Sequence, residues 1–125
     1  PGTALIAPGD RHCEVVKFGG RLRIALRDGP PVSGHKPSVD VLFRSVARVA
    51  QSRAVGAILT GMGKDGAEGL KVMRESGAAT LGQDEPTCVV YGMPNAAMRV
   101  GAVEEEAPLS RIAERILARA TESRA

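Results

Sequence analysis

Residues 54–66 read Ala54-Val55-Gly56-Ala57-Ile58-Leu59-Thr60-Gly61-Met62-Gly63-Lys64-Asp65-Gly66. The run from Ala54 to Leu59 is continuous, apolar and short, the pattern of a strand buried on both faces near the centre of a parallel sheet. Beyond the glycine-rich turn, Ala67, Leu70 and Met73 recur at helical spacing, and Gly77 stops the helix at about Ser76. Strand, tight loop and helix make the first two parts of a βαβ unit, and Ala78 to Gly82 reads as the returning strand.

Working outward toward the C-terminus, Thr87 to Tyr91 reads as one more short strand, and Met93-Pro94-Asn95 starts a short helical segment. Pro108 and Ser110 open a last helix whose buried side is expected to be Leu109, Ile112, Ala113, Ile116, Leu117 and Ala120. Toward the N-terminus, Ser38 is expected to cap a helix carrying Val39, Leu42, Phe43, Val46, Val49 and Ala50 on one stripe. Residues 28–37 hold three prolines and two glycines and read as an extended surface loop. Cys13 to Phe18 and Arg21 to Leu26 flank Gly19-Gly20 as a two-residue hairpin, its second strand alternating Leu22, Ile24 and Leu26 with arginines, so that one face is solvated. Thr3 to Ala7, closed by Pro8-Gly9-Asp10, reads as a buried strand that delivers Asp10, Arg11 and His12 to its end. The fold class is α/β, an architecture with right-handed crossovers.

Length and composition restrict the function. The 125 residues fit one domain, 43% hydrophobic and 25% charged, which excludes a disordered or collagen-like chain. Aromatics are 2%, with Phe18, Phe43, Tyr91 and no Trp, too few for a platform that stacks single-stranded bases. The net charge of +3 is spread along the chain rather than gathered in a stripe, which argues against nucleic acid as a partner. Cys13 and Cys88 stand far apart without zinc or disulfide-framework spacing, so neither a zinc site nor a disulfide framework is suggested and a reduced cytoplasmic setting is expected. No apolar run reaches membrane-spanning length and no segment resembles a signal peptide. The chain begins Pro1-Gly2 rather than with Met, the start expected of a processed or truncated product.

Ligands of open α/β sheets bind beyond the carboxyl ends of the strands, which directs attention to the segments after residues 7 and 60. His12 is placed there to take and return a proton near neutral pH, against the plainer reading of a surface histidine in a turn. The turn Gly61 to Gly66 presents backbone N–H groups at a helix start, where an oxyanion is favoured, but it lacks the GxxxxGK[ST] spacing of a phosphate loop. Asp65 with Glu68 matches a capping box; alternatively its carboxylate orients His12. No nucleophile stands out: there is no GxSxG turn, Ser33 follows no strand that would hold its hydroxyl, Cys13 opens a hairpin strand and Cys88 lies in an apolar one.

Four segments, in order along nearly the whole chain, resemble the catalytic domain of CheB, the chemotaxis protein-glutamate methylesterase family. They are Ile6-Ala7-Pro8-Gly9-Asp10-Arg11-His12, Asp28-Gly29-Pro30-Pro31 through His35 and Pro37 to Phe43, Ile58 to Gly66, and Cys88-Val89-Val90-Tyr91-Gly92-Met93-Pro94. The resemblance implies a serine hydrolase that removes methyl esters from glutamates on the cytoplasmic helices of chemoreceptors, in many members deamidates receptor glutamines, and requires no metal or organic cofactor. It implies a doubly wound, mostly parallel sheet in three α/β/α layers with a β-hairpin insertion. His12 matches the triad histidine, Asp65 the triad aspartate and Met62 the residue whose N–H helps form the oxyanion hole. The family's nucleophile lies in a Ser-Thr-Gly-Gly turn after the first strand, a region that would precede Pro1. Residues 1–125 are therefore expected to be a single, truncated methylesterase-type catalytic domain without its N-terminal strands and nucleophile, inactive alone. In the parent protein a phosphorylatable receiver domain is a further expected partner. The competing reading is a non-catalytic α/β module that binds a partner or an anion through the loop at 61–66.

Overall fold

The computed structural model describes residues 2–122. In chain order the elements are β1 (His12–Phe18), β2 (Arg21–Arg27), α1 (Val39–Val49), β3 (Val55–Ile58), α2 (Ala67–Glu75), β4 (Ala79–Gln83), α3 (Met93–Arg99), β5 (Glu105–Ala107) and α4 (Leu109–Ala120). Short 3-10 turns occupy Gln51–Arg53 and Glu85–Thr87.

The parallel sheet has the order β3-β4-β5, with Val55 opposite Ala79 and Leu81 opposite Glu105. Among the described residues β4 is thus central and β3 lies at an edge, where the sequence reading places Ala54 to Leu59 at the centre. Every residue of β4 is buried, so both faces of the sheet are covered there. α2 and α3 lie against β3 and β4, and α4 against all three strands. Gly56 sits on the α2 side; a Cβ there would stand 2.6 Å from Leu70 Cδ1, so its absence lets the helix settle onto the strand. The core consists of Ala47, Ile58, Ala67, Leu70, Met73, Ala78, Ala97, Ala102 and Val103. With so many alanines in it, Leu70 and Met73 carry much of the burial, each stabilising by about 1.5–3 kcal/mol.

β1 and β2 form a separate antiparallel hairpin in which Phe18 faces Arg21. Gly19 (φ 58°) and Gly20 (φ 80°) supply the two left-handed residues that a two-residue turn requires. α1 lies along β1, where the Ser45 hydroxyl accepts the Val15 N–H. β2 is outermost: Leu22, Ile24 and Leu26 stay 41–49% exposed, so their alternation with arginine does not mark a covered face among the described residues.

Several expectations need correction. Residues 3–7 form no strand, and Leu5 and Ile6 are exposed, because no described strand lies beside them to complete a ladder. Thr87 to Tyr91 is not a strand either. The Asp84 side chain accepts the Thr87 N–H and Gln83 donates to the Thr87 carbonyl, diverting backbone groups from a ladder; only Tyr91 makes an isolated parallel bridge, to Gly61. β5 was not anticipated, being three residues, two of them glutamate. On α4, Ile112 is buried, whereas Leu109, Ala113, Leu117 and Ala120 are exposed. This helix is tied to β5 by ion pairs instead: Glu105 meets Arg115 at 2.6 Å and Arg119 at 3.2 Å.

Candidate active site

His12 opens β1 and is 5% exposed. Its ring nitrogens are both engaged: Nδ1 accepts the Ser38 N–H at 3.2 Å, and Nε2 lies 2.8 Å from the Pro30 carbonyl oxygen. A backbone N–H can only donate and a carbonyl can only accept, so the resting ring is neutral with its proton on Nε2.

Asp65 lies in the loop between β3 and α2 and is 4% exposed. Its Oδ1 accepts from the Ser38 hydroxyl at 2.7 Å and from the Asp40 N–H at 3.1 Å, while Oδ2 accepts the Val39 N–H at 2.7 Å. The carboxylate therefore caps α1 from a distant loop, favourably placed at the positive end of that helix. This replaces two local readings. Ser38 occupies the cap position of α1 but its side chain makes no cap bond, and the Asp65/Glu68 capping box does not form.

Asp40 returns the arrangement. Its Oδ1 accepts the N–H groups of Gly66 (3.1 Å) and Gly69 (2.7 Å), satisfying the start of α2. Gly69 permits this approach, since a Cβ there would meet Phe43 Cβ at 2.8 Å and Asp40 Oδ1 at 3.0 Å. Each helix is capped by an aspartate from the other's neighbourhood. Sequence reasoning overlooked Asp40 and undervalued Ser38; the signal was Ser38-Val39-Asp40 at a helix start, with Asp40 too close to the apolar stripe to remain solvated.

His12 and Asp65 are thus brought to one residue, Ser38, which is 2% exposed, and no hydrogen bond joins them directly. Met62 stands on the same loop as Asp65 and is 79% exposed, and its N–H has no hydrogen-bond partner among the described residues. The loop is fixed by its neighbours. Gly61 N–H donates to the Val90 carbonyl and Met93 N–H to the Gly61 carbonyl; Thr60 N–H donates to the fully buried Gln83 Oε1. Gly92 packs so closely that a Cβ would lie 2.6 Å from the Gly61 carbonyl oxygen.

The remaining reactive side chains stand apart. His35 is exposed and Ser33, with φ 53°, donates at 3.5 Å to Asp40. Burial raises the Cys13 thiol pKa; for Cys88 burial again leads, followed by the opposing Thr60 bond and then the charges of Asp84, Glu85 and Glu106. Neither is favoured as a thiolate nucleophile. Among the described residues no group of three or more His, Cys, Asp or Glu is arranged to hold a metal, and no helix is long and apolar enough to cross a membrane.

Fold and site together define an α/β protein with a buried histidine and aspartate gathered beside the loop that leaves a parallel strand. The chain belongs to the CheB methylesterase family, whose model matches residues 1–116. It is 57% identical over 123 residues to protein-glutamate methylesterase/protein-glutamine glutaminase 4 of Anaeromyxobacter dehalogenans, covering 98% of this chain and 35% of that protein. It is 52% identical to the protein-glutamate methylesterase/protein-glutamine glutaminase of Photorhabdus laumondii, over all of this chain and 36% of that one. The crystal structure of the Thermotoga maritima CheB methylesterase catalytic domain superposes with a TM-score of 0.86 at 31% identity, covering 90% of this chain and 59% of that domain. The chain thus spans about a third of the length of these curated relatives.

Proposed function

We propose that residues 1–125 form one folding unit that supplies the histidine, the carboxylate and an oxyanion donor of a protein-glutamate methylesterase, acting on methylated glutamates of chemoreceptor helices in the cytoplasm. The observation that carries this reading is that His12 and Asp65, contributed by segments far apart in sequence, are both buried and both bonded to Ser38. The Met62 N–H on the Asp65 loop, without a hydrogen-bond partner among the described residues, supports the assignment of the oxyanion donor.

In the proposed reaction a serine from outside these residues attacks the glutamyl ester carbonyl, and its proton passes to His12 Nε2. The tetrahedral oxyanion is held by the Met62 N–H; such a donor contributes about 3 kcal/mol in other hydrolases. The histidine returns its proton to the departing methanol, and water then releases the acyl group by the same steps. Glutamine deamidation follows the same course, with ammonia leaving. Asp65 stabilises the imidazolium formed on the way. Regulation by a phosphorylatable receiver domain elsewhere in the parent protein completes the proposal.

The test is release of methanol from methylated receptor by the full-length protein. His12→Ala and Asp65→Asn are expected to abolish it, and unchanged turnover in both would overturn the assignment. A fluorophosphonate probe is expected to label the full-length protein and not residues 1–125 alone; labelling of Ser33 would refute the external nucleophile.

A further inference from the structure

We propose that Ser38 is a positioning residue for this chemistry, linking His12 to Asp65 through its hydroxyl. The inference rests on the methylesterase reading above and goes further by naming how the two groups communicate. It starts from the mismatch between the resting tautomer and the one the reaction needs.

At rest the Ser38 N–H donates to His12 Nδ1 and the proton on Nε2 points at the Pro30 carbonyl. A general base must offer the lone pair of Nε2, so the working ring carries its proton on Nδ1, and the imidazolium that follows carries one there too. In both forms the Ser38 N–H faces another donor and ceases to be a partner. Nδ1–H then requires an acceptor on the same side.

Ser38 supplies one. Its hydroxyl has a single hydrogen, committed to Asp65 Oδ1 at 2.7 Å, and its oxygen lone pairs have no hydrogen-bond donor among the described residues. A bond from Nδ1–H to Ser38 Oγ continues directly into the Ser38-to-Asp65 bond, so the carboxylate acts on the imidazolium through one bridging hydroxyl. Asp65 is in turn held by the Val39 and Asp40 N–H groups, and these remain when the hydroxyl is removed. Ser38→Ala therefore breaks the bridge while leaving two of the three anchors of Asp65 in place.

The test uses the full-length protein with methylated receptor as substrate. Ser38→Ala is expected to lower kcat by about 10- to 100-fold, the effect of one hydrogen bond to a charged group, with KM nearly unchanged. Ser38→Thr, which keeps the hydroxyl, is expected to recover most of the rate. A second readout is independent of turnover: imidazole 15N shifts should report His12 protonated on Nε2 at rest and on Nδ1 in the fluorophosphonate adduct, and in Ser38→Ala the Nδ1–H resonance should move. Wild-type kcat in folded Ser38→Ala, or an adduct whose Nδ1–H is indifferent to the hydroxyl, overturns the bridge while the methylesterase reading stands. Full activity in His12→Ala removes that reading and the bridge with it.

Discussion

Replacing Asp65 by asparagine changes one oxygen to an NH2 group, and the geometry fixes the consequence. The Oδ1 seat receives two donors, Ser38 Oγ and Asp40 N, and the Oδ2 seat receives one, Val39 N. The better orientation of the amide keeps its oxygen in the Oδ1 seat and sets NH2 against the Val39 N–H. One bond is lost and opposing donors are left in a part-buried site, costing about 1–2 kcal/mol. The two surviving bonds change from charge-assisted to neutral and lose about 1–2 kcal/mol together. The total is about 2–4 kcal/mol, a large share of the ~5–15 kcal/mol by which domains are stable. With an m-value of about 2 kcal/mol/M, the urea midpoint of the unfolding transition should fall by about 1–2 M. Amide exchange at Val39 should accelerate before exchange in β4 does. A midpoint within about 0.25 M of wild type would refute the capping argument, using the same m-value. The variant's expected loss of activity therefore has two sources, and the melt separates them.

Gly92→Ala sets a Cβ 2.6 Å from the Gly61 carbonyl oxygen and 3.1 Å from Gly63 N, so the loop bearing Met62 must move; turnover should fall at least about tenfold, and wild-type turnover would show that the loop yields harmlessly. The hydrogen bond from Arg115 leads in lowering the Glu105 pKa, with burial opposing it. A depressed carboxylate stabilises the fold above its unfolded pKa of about 4.3 and loses that contribution as pH falls through the folded value, so Glu105→Gln should flatten the acid side of Tm against pH; identical curves would contradict this. The outer edge of β3 has no strand partner among the described residues, and the apolar Leu5 and Ile6 are exposed. Residues 1–125 expressed alone should therefore self-associate, and sedimentation as one monomer across concentrations would contradict it.

What the sequence revealed is what is encoded locally. The apolar run at 54–59, the spacing of Ala67, Leu70 and Met73, and Gly19-Gly20 each define their element within a few residues, and the structure holds β3, α2 and the hairpin at those places. What stayed hidden depends on partners remote in the chain. Val39 is capped from 26 residues away, and β5 is a strand because β4 lies beside it, although its glutamates have no apolar pattern. Thr3 to Ala7 shows the converse, an apolar run with nothing described alongside to pair with. His12 and Asp65 were accessible as candidates because each lies near a recognisable turn, whereas Ser38 matters through a contact that no spacing rule contains.

The exchange of caps between Asp40 and Asp65 also bears on how the chain folds. Neither α1 nor α2 receives a side-chain cap from its own flanking residue, so each is a short helix, 11 and 9 residues, whose start is completed only when the other has docked. Helices of that length are marginal in isolation because their nucleation is unfavourable. Formation of the two helices is thereby made mutually conditional, and the contacts that end the fraying of α1 are the same ones that hold Asp65 beside Ser38. In a chain that has collapsed but not docked these helices Asp65 lacks its Val39 and Asp40 donors, so this arrangement of the candidate site is completed in the same cooperative step as the packed core.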